Sequence, residues 1–198
     1  MVSVTSDRGA GSLAVPTAIK VVIAGGFGVG KTTMVGAVSE IPPLRTEELL
    51  TEAGVGVDEV AGVETKETTT VALDFGRITI NPEVVLYMFG TPGQNRFWFM
   101  WDELADGALG AIVLVDTRRL DSSFPSIDFF ERRKIPFVVG VNCFDDAYHY
   151  TPDEVREALD IDPGIPIALC DVRERDSGKE VLAGLVEYTL GRLRAAVG

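Results

Sequence analysis

The sequence predicts an α/β domain: a six-stranded, mostly parallel sheet with helices on both faces. Three observations predict it. From Ile19 onward, apolar runs of strand length alternate with longer amphipathic stretches, the pattern of repeated strand–helix–strand units. The chain has 198 residues, 46% of them hydrophobic, which suits one domain with a single substantial core. The first apolar run passes through a glycine-rich turn straight into a helical pattern. Residues 1–17 are rich in Ser, Thr, Gly and Ala and lack periodicity, so they read as a flexible tail before a domain over 18–198.

The strand runs are 19–24, 70–80, 84–89, 109–115, 137–142 and 166–169. The second and third are joined by Asn81-Pro82, a turn pair that predicts an antiparallel hairpin. Helical patterns cover 31–39, 97–106, 126–133, 152–159 and 178–197. Thr151-Pro152-Asp153-Glu154 has the form of a capping box with Pro at the first helical position. Ser177-Gly178-Lys179-Glu180 has the same form. In the last helix Val181, Leu182, Leu185, Val186, Tyr188 and Leu193 make an apolar stripe that fits core packing. Five large apolar residues in a row, Phe97 to Trp101, wrap around most of a helix, so part of the run is expected at an exposed interface.

The net charge is −12. An acidic chain has no general affinity for nucleic acid or for an anionic membrane. Half of that charge sits in residues 40–67, which hold few large apolar side chains, so this segment is expected to be functional or mobile rather than structured. Cys143, Cys170 and His149 lack both a disulfide framework and the spacing of a zinc site. A reducing, cytoplasmic compartment is the expectation. The longest apolar run, 108–115, is far below the ~18 residues a membrane helix needs. Neither a signal peptide nor a lipid anchor is expected from the residues at either end.

An anionic ligand must then be held by a local device, and one is present. Gly25-Gly26-Phe27-Gly28-Val29-Gly30-Lys31-Thr32-Thr33 fits G-x-x-x-x-G-K-[ST] without a mismatch. Glycines let the backbone turn its N–H groups inward around a phosphate. The helix opening at Lys31 adds its positive end. The Lys31 ammonium reaches the β- and γ-phosphates, and the Thr32 hydroxyl is placed to ligate Mg²⁺. Kinases, ATPases and GTPases all use this device, so it names neither base nor reaction.

Later motifs resemble those of the Ras-like small GTPases. Asn142-Cys143-Phe144-Asp145 resembles the guanine-reading N-K-x-D. By this resemblance Asp145 accepts from guanine N1–H and N2–H₂ and Asn142 reaches the N7 and O6 side. Cys143 stands where the family has Lys, which lowers the expected nucleotide affinity. Thr70-Val71-Ala72-Leu73-Asp74-Phe75 resembles T-x-x-x-D-F, whose Thr binds Mg²⁺ and senses the γ-phosphate. That role falls on Thr70, with Thr68 or Thr69 as one-step alternatives. Gly90-Thr91-Pro92-Gly93-Gln94-Asn95-Arg96-Phe97 resembles D-x-x-G-Q-x-R-F. Gly93 then offers its N–H to the γ-phosphate and Gln94 orients the attacking water. Gly90 replaces the Asp that usually serves Mg²⁺, so Mg²⁺ affinity falls or another carboxylate, such as Asp74 or Asp116, compensates. No arginine matches a finger in cis. Cys170-Asp171-Val172-Arg173 stands where the family has S-A-K, and the Val172 N–H is placed toward guanine O6.

The whole pattern is most similar to bacterial Ras-like GTPases of the conservon kind, related to the gliding-motility polarity GTPase. The resemblance implies a GTP/GDP switch with Mg²⁺ and slow, partner-assisted hydrolysis. It also implies a roadblock/LC7-type regulatory partner and a sensor-kinase-like membrane protein. Two alternatives stay open: a module that regulates by nucleotide occupancy with little hydrolysis, and an ATP-dependent phosphotransferase.

Overall fold

A computed structural model describes residues 15–42, 44–51, 68–93 and 99–197. The strands are β1 (Thr17–Gly25), β2 (Leu44–Thr51), β3 (Thr68–Asn81), β4 (Val84–Gly90), β5 (Gly110–Val115), β6 (Phe137–Asn142) and β7 (Ile167–Cys170). The helices are α1 (Lys31–Val38), α2 (Phe99–Ala105), α3 (Phe124–Arg133), α4 (Pro152–Leu159) and α5 (Arg175–Val197). A 3₁₀ segment, Thr117–Ser123, leads into α3. All six expected strands form, and the sheet order is β2-β3-β4-β1-β5-β6-β7. β4, β1, β5, β6 and β7 are mutually parallel. β3 runs antiparallel to β4, and the turn between them is closed by the Glu83 N–H donating to Asn81 Oδ1 at 2.8 Å.

The central strands are buried on both faces, so they read as continuous apolar runs. Alternate residues feed two separate cores. Val21, Ile23, Ile112 and Leu114 pack with Met34, Val35 and Val38 of α1 and Val181, Leu182 and Leu185 of α5. Val22, Ala24, Val113 and Val139 pack with Trp101 of α2, Phe129 and Phe130 of α3, and Val155 and Leu159 of α4. On α5 the stripe is therefore core at Val181, Leu182 and Leu185, with Val186 and Tyr188 partly buried against it; Leu193, further along, is exposed.

Two expectations about local structure are corrected. The acidic stretch 40–67 contains a strand: β2 pairs antiparallel with β3 from Leu44–Phe75 to Thr51–Thr68, adding an edge strand to the six expected. The second capping box does not form. α5 starts at Arg175, and the Ser177 hydroxyl instead accepts from the Asp171 N–H at 3.0 Å. Of the expected tail, residues 1–14 lie outside the described residues, and of the aromatic run so do Phe97 and Trp98. In the rest of that run Phe99 is exposed and Trp101 is buried.

Candidate functional site

The parallel strands end on one side of the sheet, and the residues following β1, β4, β6 and β7 collect there. β1 lies between β4 and β5, so the chain switches direction across it, and the crevice at such a switch point is where open α/β sheets take ligands. The loop leaving β1 is held open by backbone that favours glycine: φ is +134° at Gly25, +73° at Gly28 and +108° at Gly30. A Cβ on Gly30 would stand 2.8 Å from Val172 Cγ2 and 2.9 Å from Asn142 Nδ2, so only glycine fits against the β6 and β7 ends.

Lys31 opens α1 and is buried. Its Nζ donates to the Gly25 and Gly26 carbonyls, both at 2.8 Å. Burial pulls its pKa down to about 8, against an upward pull from the Asp74 charge. Thr32 Oγ1 donates to Asp74 Oδ2 at 2.5 Å. Gly93 closes on the same loop: a Cβ there would stand 2.9 Å from Lys31 Nζ and 3.0 Å from Phe27 Cα. A phosphate group fits these residues, since the loop offers glycine-turned backbone and a buried ammonium that an anion would relieve. Mg²⁺ fits through Thr32 Oγ1, a hard oxygen beside a carboxylate. Among the described residues no group of three or more His, Cys, Asp and Glu is placed to hold a metal ion.

Asn142 ties the loops together rather than standing open. Its Nδ2 donates to the Val29 carbonyl at 3.0 Å, and its Oδ1 accepts from the Val172 N–H at 3.3 Å. The Val172 N–H thus has a protein partner. Cys170 is a buried hydrophobe whose thiol burial pushes up to about 12. Asp145 lies at the rim, exposed, and both its oxygens accept from the Arg173 guanidinium at 2.9 Å. Hydrogen bonding from Arg173 holds the Asp145 carboxyl below its ordinary value, so it is ionised at neutral pH.

Thr70 is not brought to this cluster. It lies within β3, paired with Leu49 of β2, four residues before Asp74, or about 13 Å at ~3.3 Å per residue. The ladder with β2 holds that stretch extended. Gln94 lies outside the described residues, and Thr33 is exposed on α1.

Sequence reasoning missed two arginines. Arg119 Nη2 donates to the Phe27 carbonyl at 3.2 Å and lies 3.4 Å from where a Gly28 Cβ would be. An arginine thus reaches the phosphate loop from within the chain. Arg118 lies over the Phe144 ring, 3.8 Å from its centroid. Both contact the fully buried Asp116. Burial pushes the Asp116 carboxyl up, but hydrogen bonds from the Arg118 side chain and backbone outweigh it and hold the group low. Nothing in a bare Thr-Arg-Arg sequence marks these contacts.

Residues 23–192 match the family described as "Conserved hypothetical ATP binding protein". The chain belongs to this family. An uncharacterized protein of Methanocaldococcus jannaschii is 33% identical over 129 residues, 64% of this chain and 71% of that protein. Among solved structures, the G domain of the T. maritima FeoB iron transporter superposes with a TM-score of 0.60 at 20% identity, covering 87% of this chain and 99% of that one. The GDP form of the FeoB cytosolic domain gives 0.63 at 18%, covering 88% and 64%. At these identities the likeness establishes the fold alone, the α/β arrangement shared with those G domains. Conservon type is not established by any of these relatives. Among the described residues no helix is long and apolar enough to cross a membrane.

Proposed function

We propose that this member of the family is a guanine-nucleotide switch: it binds GTP and GDP with Mg²⁺ and hydrolyses GTP slowly. The observation that carries nucleotide binding is the buried Lys31 ammonium, held over the loop carbonyls of Gly25 and Gly26 and lowered in pKa by its surroundings. A polyphosphate restores that charge and takes the N–H groups of residues 28–32. Guanine is favoured by the ionised Asp145 carboxylate at the rim, because guanine presents two adjacent donors and adenine does not. Guanine gains this contact by displacing the Arg173 guanidinium from Asp145; adenine has no such pair of donors to offer.

In this proposal Lys31 spans the β- and γ-phosphates, Thr32 holds Mg²⁺, and Gln94 orients the attacking water. Bound Mg²⁺ would neutralise charge developing on the phosphate oxygens. Thr70 must leave its ladder with β2 to reach the γ-phosphate, and that order change is the switch. A roadblock/LC7-type protein and a sensor-kinase-like membrane protein as partners rest on the resemblance alone.

An adenine nucleotide is the rival ligand. The family description names ATP, and Arg173 occupies both Asp145 oxygens that guanine would use. Phosphate release from GTP tests hydrolysis. The wild-type chain releases phosphate slowly, and Gln94→Leu slows it by about tenfold or more, the scale of a lost water-positioning group. Release unchanged by Gln94→Leu would remove that residue from the reaction.

A further inference from the structure

We propose that Asp74, on β3, is the carboxylate that positions the Mg²⁺-ligating hydroxyl of Thr32, replacing the side chain that Gly90 lacks. This rests on the P-loop nucleotide site proposed above and assigns its missing acidic group.

A threonine oxygen that gives a lone pair to a cation must send its proton elsewhere. An acceptor fixed on the far side aims the lone pair and makes the oxygen more basic. Thr32 has such an acceptor, Asp74 Oδ2, at 2.5 Å. Asp74 is itself buried, as is Lys31 next to Thr32 in the chain. Mg²⁺ demands near-ideal octahedral geometry at ~2.0–2.1 Å, so a misaimed hydroxyl costs affinity.

The sheet register explains the trade between strands. Asp74 of β3 is the direct antiparallel partner of Gly90 of β4. A Cβ on Gly90 would stand 3.0 Å from Asp74 Cβ and 3.2 Å from Asp74 Oδ2. A carboxylate stem rising from position 90 would therefore enter the volume Asp74 fills. Two carboxylates so close could not both ionise. One of the two strands can supply the acid, and here it is β3. The other buried carboxylate among the described residues, Asp116, has Arg118 on Oδ1 and both Arg118 and Arg119 on Oδ2, so it is committed elsewhere.

The test uses the full chain loaded with fluorescent GDP, and with fluorescent ADP in parallel, following retention of the label as Mg²⁺ is titrated and in EDTA. Asp74→Asn should raise the Mg²⁺ midpoint by about tenfold or more, the usual scale for a lost outer partner of a metal ligand, a loss that is absent when retention is compared in EDTA. The double variant Asp74→Gly, Gly90→Asp returns the acid to β4 and should recover most of the midpoint that Asp74→Gly alone loses. An unchanged midpoint in Asp74→Asn, an equal loss with and without Mg²⁺, or no recovery in the double variant would each overturn the assignment. These outcomes leave the wild-type nucleotide site standing. A wild-type chain that retains neither label would instead overturn that site and this assignment with it.

Discussion

Lys31 enters a buried site carrying a charge that burial opposes. Its pKa is about 8 in the folded chain against 10.5 for the ordinary group. Between those values the unfolded chain binds more protons, so the stability of the nucleotide-free protein rises with pH from about 8 to about 10.5. Below pH 8 the whole cost is present, of order 3 kcal/mol. A bound polyphosphate reverses the balance, because it favours the ammonium. Nucleotide affinity of the wild type should therefore fall about tenfold between pH 7 and pH 9 as the ammonium is lost. Lys31→Arg, which keeps its charge, should show a flatter profile over that range. Equal slopes measured by titration at each pH would show that Lys31 does not carry the charge that binds. At this scale the sequence was informative wherever the spacing itself does the work. Gly25, Gly28 and Gly30 could be read directly because the turn there needs positive φ. The partners of Asn142, the clamp on Asp145 and the reach of Arg119 depend on which strand ends meet, so no local pattern reveals them. Asp74 stood between: the glycine at 90 called for a substitute acid, but the choice between Asp74 and Asp116 needed the register of β3 on β4.

Among the elements, the buried parallel strands were the most legible, because continuous β-branched runs have no other use in a short apolar segment. β6 forms over the residues expected, and α4 does too. α4 is well specified by its own sequence. Thr151 Oγ1 accepts from the Glu154 N–H while the Glu154 carboxylate accepts from the Thr151 N–H at 2.8 Å. Removing the cap with Thr151→Ala should cost about 1 kcal/mol, read as a lowered midpoint in thermal or denaturant unfolding. A loss well under that would mean the box contributes little beyond what solvent supplies. β2 was not legible. Leu44, Leu49 and Leu50 share it with Arg45, Glu47 and Glu48, and such charge reads as loop although it suits an edge strand that must resist further pairing. The start of α5 was misplaced because Ser177 resembles a cap in sequence, while its hydroxyl is used by the Asp171 N–H.

Over the whole molecule, a net charge of −12 coexists with the proposed phosphate site. The contrast is resolved by geometry: the sheet order puts the ends of β1, β4, β5, β6 and β7 on one side, so loop donors and one lysine converge there whatever the net charge. Both cores pin that side from opposite faces, which keeps the loop after β1 preorganised. The fold class was readable because alternation of strand and helix leaves few arrangements open. The choice of base was not, since it turns on one exposed carboxylate and the arginine that pairs with it. Competition for the site decides it most directly: displace fluorescent GDP from the Mg²⁺-loaded wild-type chain with unlabelled GDP, GTP, ADP and ATP in turn. A guanine switch predicts that GDP and GTP compete at concentrations about a hundredfold lower than ADP and ATP, the discrimination expected of a paired carboxylate. Adenine nucleotides competing equally well or better would contradict it.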